Sequence, residues 1–240
     1  MHSPFVFDFI QHVLNNKSEW EPPQKIETLR KQLLQDITIL AIEDFGAGSR
    51  TANTSQKTIR QIARTAIKSK KWSRFLFRLV KHYQPKNILE LGTSLGISTA
   101  YMAAANPAAN LITIEGSTEV QKIALRNFEW LNMGFIKSIQ GNFDVVLPQV
   151  LASVDVIDLA YIDGNHRLEP TLAYFESLLE KKNEQSIFVF DDIHWSAGME
   201  EAWRRIQQHD AVRYTIDLFF VGLVFFRPEF KVKQHFRIRF

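Results

Sequence analysis

The chain predicts an α/β fold: a doubly wound sheet of mostly parallel strands, finished by an antiparallel strand and preceded by a mostly helical segment. Three observations carry that expectation. From Pro85 onward short apolar runs alternate with helical patterns, which is how parallel strands and their crossover helices are written in a sequence. The run NILELGTSLGIS over 87–98 reads as a buried strand that ends in a tight turn and opens a helix. The last two apolar runs, 212–218 and 222–227, are separated by three residues, too few for a crossover, so they pair as a hairpin.

Taken in order, the pattern predicts helices over 4–14, 22–35, 55–69 and 72–83, with 36–44 extended. Strands then fall at 87–91, 110–114, 136–140, 156–162 and 186–190, with helices over 96–105, 118–132, 143–151 and 169–181 between them. A helix over 197–209 leads into the hairpin, which brings the sheet to seven strands. The tail KVKQHFRIRF alternates in character and is expected to add an edge strand or to meet a second subunit. The organisation expected is a helical extension or lid over 1–84 and a second domain over 85–240.

Composition narrows the classes. The chain has no cysteine, which excludes disulfides, thiolate metal sites and cysteine nucleophiles. Its longest apolar run, 218–226, is too short to span a bilayer. The start MHSPFVFDFI lacks the pattern of a secretory leader, so the cytoplasm is the expected compartment. The net charge of +3 hides a segregation: residues 45–89 hold eleven Lys and Arg and no acid. Lys57, Arg60, Arg64, Lys68, Lys71, Arg74 and Arg78 recur at spacings of three or four, as if lining one face of one or two helices. That face is either simply solvated or a surface for an anionic substrate, a phospholipid headgroup or an acidic partner.

The chemistry concentrates at strand ends. In the 87–98 turn, Gly92 and Gly96 let the backbone approach a ligand, and the following helix N-terminus offers free amides. Glu115 ends the next strand about 20 residues on, where an acid accepts hydrogen bonds from ribose hydroxyls. The fourth strand ends LAYIDGNH, carrying Asp163, Asn165 and His166; the fifth ends IFVFDDIHW, carrying Asp191, Asp192, His194 and Trp195. A second glycine stretch, IEDFGAGS over 42–49, lacks a following strand ending in an acid and reads as a loop over the site.

Five parallel strands, the closing hairpin and these motifs in this order resemble class I S-adenosylmethionine-dependent methyltransferases, a Rossmann-like fold, from about Pro85 to Arg227. The resemblance implies that Glu90, Gly92 and Gly96 form the acid-x-Gly-x-x-x-Gly turn, with Gly92, Thr93 and Ser94 meeting the methionine carboxylate. It also implies that Asn142 of GNFD lies near the adenine. The strand ends are similar to those of cation-dependent, catechol-type O-methyltransferases and of a related bacterial family with a Y/F-I-D-G-x-H signature. That likeness implies Mg2+ or another divalent cation held by Asp163, Asp191 and Asp192, where Asp192 replaces the family's Asn. It also places His166 at the position of the family's general base.

Under the family's strand order three carboxylates converge, and convergent buried carboxylates call for a cation. The plainer alternative is that Asp191 and Asp192 cap the next helix, while His166 and His194 make ordinary loop hydrogen bonds. The expected function is O-methylation of a hydroxyl on a small or lipid-like acceptor, with a homodimer implied by the family. Two other classes stay open: a NAD-dependent oxidoreductase and a non-catalytic cofactor-binding module. The N-P-P-Y pattern of amino-methylating enzymes is absent, which argues against a nucleic-acid substrate.

Overall fold

The structure, a computed structural model, describes residues 3–16, 21–44 and 53–240. Helix α1 (Pro4–Phe9) starts where the Ser3 side chain accepts from the Val6 amide and Pro4 occupies the first turn, and it runs on into a π-helical turn, Ile10–Leu14. Both devices fit a helix start, since the first amides lack intrahelical acceptors. Helix α2 (Gln24–Leu33) follows. Strand β1 (Ile39–Asp44) then pairs antiparallel with β2 (Asn53–Thr58), Ile39 opposite Thr58.

This hairpin corrects the helix expected over 55–69. Thr58 and Gln61 form a reciprocal capping box, which sets the start of α3 (Ile59–Ala66) at Ile59. Residues ahead of such a cap leave helical dihedrals, and β1 is there to pair with them. The 42–49 stretch accordingly begins as strand β1, and its glycines lie outside the described residues.

The basic run does not share one face either. Lys57 lies on β2, Arg60 and Arg64 on α3, Lys68 in the connection, and Lys71, Arg74 and Arg78 on α4 (Lys70–Tyr83). Helix α4 is nearly buried from Phe75 to Val80, and the Arg78 guanidinium sits inside, its Nε donating to the Val13 carbonyl at 2.6 Å.

Beyond Gln84, whose left-handed backbone ends α4, strands and helices alternate as expected. They run β3 (Asn87–Leu91), α5 (Ile97–Ala105), β4 (Asn110–Glu115), α6 (Thr118–Trp130), β5 (Lys137–Gln140), α7 (Phe143–Ala152), β6 (Ile157–Ile162), α8 (Leu168–Leu179), β7 (Lys182–Asp191) and α9 (Ala197–Gln208). The closing strands are β8 (Tyr214–Asp217), β9 (Val221–Phe225) and β10 (Gln234–Arg237). The main sheet has eight strands in the order β10-β8-β9-β7-β6-β3-β4-β5. The eighth is the tail: β10 pairs parallel with β8 at the sheet edge, the first of the two expectations for KVKQHFRIRF.

Strand β9 runs antiparallel between β7 and β8, and the strands from β7 to β5 are all parallel. The chain leaves β3 toward β4 and β5 and then crosses back to β6 on the other side of β3, so a crevice opens at its carboxyl end. One apolar cluster joins Val6, Phe9 and Phe75 of the N-terminal helices to Ile88, Leu159 and Phe225 of the sheet. The opposite face of the sheet packs Leu89, Ala160 and Phe188 against α7, α8 and α9.

Candidate active site

The glycine turn lies in that crevice. Gly92 has φ 106°, and a Cβ there would fall 2.1 Å from the Asp163 carbonyl oxygen, so this position admits only glycine while β3 and β6 stay paired. Gly96 has φ 81°, and a Cβ would strike the Phe128 ring at 2.5 Å. Beneath the turn Glu90 is fully buried and accepts from the hydroxyls of Ser98, Thr99 and Thr113 at 2.5–2.6 Å. Burial pushes its carboxyl up to about 7, against the lowering effect of the three hydroxyls. Glu90 thus supports the turn from below and does not line the crevice, a different position from the cofactor contact expected of it. Thr93 is likewise buried, its hydroxyl 2.6 Å from that of Thr113.

Glu115 ends β4 and lines the cavity beside the turn. Its Oε2 accepts from the Ser94 amide at 2.7 Å and its Oε1 from the Ser117 amide at 3.0 Å, which joins the end of β4 to the turn. Burial raises this carboxyl despite those amides. The hydroxyls of Ser94 and Ser117 are buried with no protein partner, beside the same cavity. Asn142 caps α7, its side-chain oxygen accepting from the Asp144 amide at 2.9 Å, and it also lines the cavity. The Asx turn starting a helix, one of the two readings of GNFD, is thus present.

The acids converge, and the chain brings its own cation to them. The Lys68 ammonium touches Asp191 Oδ2 and lies 3.2 Å from Asp163 Oδ1. Asp191 is 2% exposed. Burial and the neighbouring Asp163 drive its carboxyl upward against the Lys68 charge, and the two carboxylates hold Lys68 protonated despite its own burial. The Tyr161 hydroxyl donates to Asp163 Oδ2 at 3.0 Å. His166 Nε2 stands 3.6 Å from Asp163 Oδ1 and 3.9 Å from Asp192 Oδ2.

His194 is used elsewhere, between Glu200 and Asp217 at 3.3 and 3.0 Å, as the plainer reading had it. Trp195 is a wall at the mouth of the cavity, 73% exposed. Lys68 was missed in the sequence because it stands in a run of similar cations, and no local signal separates it from Lys70 or Lys71.

The cavity measures about 790 Å³ and is walled by the glycine turn, Glu115, Asn142, Asp163, His166, Asp192 and Trp195. Lys57, Ile62, Thr65 and Lys68 close it from the N-terminal side. Such a volume is ordinary for a small-molecule site. Two unpartnered hydroxyls, a carboxylate at the second strand end and a glycine that admits no side chain fit a nucleoside-bearing amino-acid cofactor.

A divalent cation fits less well. Asp163, His166 and Asp191 offer donor atoms within 4.8 Å of one another, the size of a metal cradle. A hard cation binds carboxylate oxygen at about 2.0–2.6 Å, however, and the Lys68 ammonium is already against those oxygens. Asp192 faces the cavity from a left-handed backbone and is not part of that cradle.

The fold agrees with that of known proteins. An O-methyltransferase from Bacillus cereus solved in complex with SAH superposes with a TM-score of 0.63 over 92% of this chain and 97% of that one, at 20% identity. The Podospora anserina methyltransferase PaMTH1, also SAH-bound, gives 0.67 over 95% and 97%, at 14% identity. The fold is that of the class I methyltransferases. Residues 89–193 match a family model described as a methyltransferase domain, which spans this fold from β3 to just past β7. A catechol O-methyltransferase from Niastella koreensis is 32% identical over 125 residues, 50% of this chain and 55% of that protein. The chain thus spans about half the length of the curated relative it matches. Within this fold, Glu115, the glycine turn and His166 line one cavity at the carboxyl ends of the strands.

Proposed function

We propose that the chain is an S-adenosylmethionine-dependent O-methyltransferase acting on a hydroxyl of a small or lipid-like acceptor. The observation that carries this is the joining of Glu115 to the glycine turn at the switch point, within one cavity that also holds His166. The cofactor supplies an electrophilic methyl group. The chain's residues do the rest: Gly92, Ser94, Ser117 and Asn142 bind and orient the donor, with Glu115 accepting from ribose hydroxyls.

His166 Nε2 takes the proton of the acceptor hydroxyl, and the carboxylates of Asp163 and Asp192 stabilise the imidazolium that forms. Lys57, on the cavity wall, is offered to an anionic group of the acceptor. Residues 1–84 act as the lid, since β2, α3 and the Lys68 connection close the site. The divalent cation implied by the catechol-type likeness would have to share the cradle with Lys68. The homodimer that the family likeness implies and the cytoplasmic setting expected from the sequence belong to the same proposal. Among the described residues no helix is long and apolar enough to cross a membrane.

Calorimetric titration tests the reading. S-adenosylhomocysteine should bind and NADH should not, and Glu115→Ala should weaken S-adenosylhomocysteine by about 1.5–3 kcal/mol, roughly ten-fold or more, for loss of a charged acceptor. Binding of NADH in its place would point to a hydride-transfer enzyme. Cofactor binding without turnover across a broad panel of hydroxyl compounds would point to a binding module.

A further inference from the structure

Carboxylates that converge from β6 and β7 repel one another and lose hydration on burial, so a positive charge must reach them. In catechol-type sites, as the sequence likeness implies, that charge is a divalent cation. Here a side chain more than 90 residues earlier reaches the same oxygens. Lys68 Nζ lies against Asp191 Oδ2 and 3.2 Å from Asp163 Oδ1, and both it and its partners are largely withdrawn from solvent.

The lysine is held from behind as well. Arg30, itself 8% exposed, donates from Nη1 to the Lys68 carbonyl at 2.5 Å and from Nη2 to Ser73 Oγ at 2.8 Å, while its Nε donates to Glu27 Oε1 at 2.9 Å. Tyr101 closes the chain by donating its hydroxyl to the same Glu27 oxygen. A guanidinium that spends its donors on one main-chain carbonyl and two side chains fixes that carbonyl's position. The connection between α3 and α4 is therefore pinned with its lysine pointing at the acids.

We propose that the Lys68 ammonium is the resident cation of this site, standing where a divalent metal would stand, so that the Asp163–Asp191 pair has its counter-charge without one. Resting on the methyltransferase reading above, methyl transfer by this chain then requires no divalent cation. Lys68 is a positioning residue: it holds Asp163 beside His166 and does not itself exchange a proton with the acceptor.

The test uses the full chain with MnCl2 as the probe, and it counts the Mn2+ bound per chain that Asp191→Asn removes. In the wild type that count should be zero. In Lys68→Met the freed carboxylates should take up one Mn2+, and Asp191→Asn in that background should remove it. A count of one in the wild type would overturn the proposal, and the wild-type count decides by itself if Lys68→Met does not fold. A count of zero in both proteins would overturn it too, because the carboxylates would then be no cation site for the lysine to fill. S-adenosylhomocysteine titrated into the same samples, with and without EDTA, keeps the two readings apart. Failure of the cofactor to bind sinks the methyltransferase reading and leaves the Mn2+ counts standing.

Discussion

Glu90 shows how a residue typical of a cofactor motif can serve the turn rather than the ligand. Its carboxyl has no access to water, and burial lifts it to about 7 from an ordinary 4.5. The folded chain therefore holds a proton that the unfolded chain releases, so stability should fall as pH rises from about 4.5 to about 7 and then level off. The Glu90 share of that fall is at most about 3 kcal/mol, from 1.36 kcal/mol per pKa unit. Glu90→Gln should remove this share, read as the difference between wild-type and variant urea midpoints across that range. An unchanged pH profile would mean that Glu90 ionises in the folded chain as it does in the unfolded one, so that burial does not raise its carboxyl. For His166 the expected outcome concerns rate: His166→Gln should lower kcat about a hundred- to ten-thousand-fold while S-adenosylhomocysteine binds as before. Equal loss of both would assign His166 to binding.

Among elements, the turn between β3 and α5 and the hairpin β1–β2 make opposite cases. The turn was legible because its demands are local: a buried strand, a glycine at positive φ and a helix start follow within a few residues. Gly92→Ala should cost at least about 1–3 kcal/mol for the backbone conformation alone, with more from the Asp163 carbonyl 2.1 Å from the added carbon. Thermal unfolding checks it, and Gly134→Ala, where nothing lies within 4 Å of such a carbon, serves as the control that should stay near wild type. The hairpin was half legible: β1 falls within the segment read as extended, and β2 was read as helix. The spacing of Lys57, Arg60 and Arg64 imitates a helix, and the competing signal was the Thr58–Gln61 capping box. It lies inside the predicted helix, and a strand forms ahead of it because β1 offers a partner.

Over the whole molecule, the question is whether 1–84 stands apart as a lid or shares the core with the sheet. Phe9 is fully buried, with the rings of Phe75 and Phe225 at 6.5 and 6.3 Å, so the N-terminal helices, α4 and β9 meet in one cluster. Phe9→Ala should cost about 3–5 kcal/mol. If the core is shared, unfolding followed by tryptophan fluorescence and by circular dichroism should shift together to lower denaturant. Two separated transitions would instead uphold an independent N-terminal unit. The same packing explains why Arg78 escapes the surface assigned to the basic run, since α4 is wrapped by other elements and its guanidinium is satisfied by main-chain carbonyls.

The sequence by itself determined the class of fold, the glycine turn, the acid that ends β4 and the acids at two strand ends, because each is announced by residues a few positions apart. Strand alternation and turn chemistry are short-range physics, and a linear reading captures them. Only the tertiary structure decided what neutralises those acids. The Lys68 ammonium reaches Asp191 across 123 positions of sequence, drawn there by a buried charge that the low-polarity interior makes costly to leave unpaired. Which cation of eleven in a basic run satisfies that need depends on the path of the backbone, and in this fold Arg30 holds that path in place.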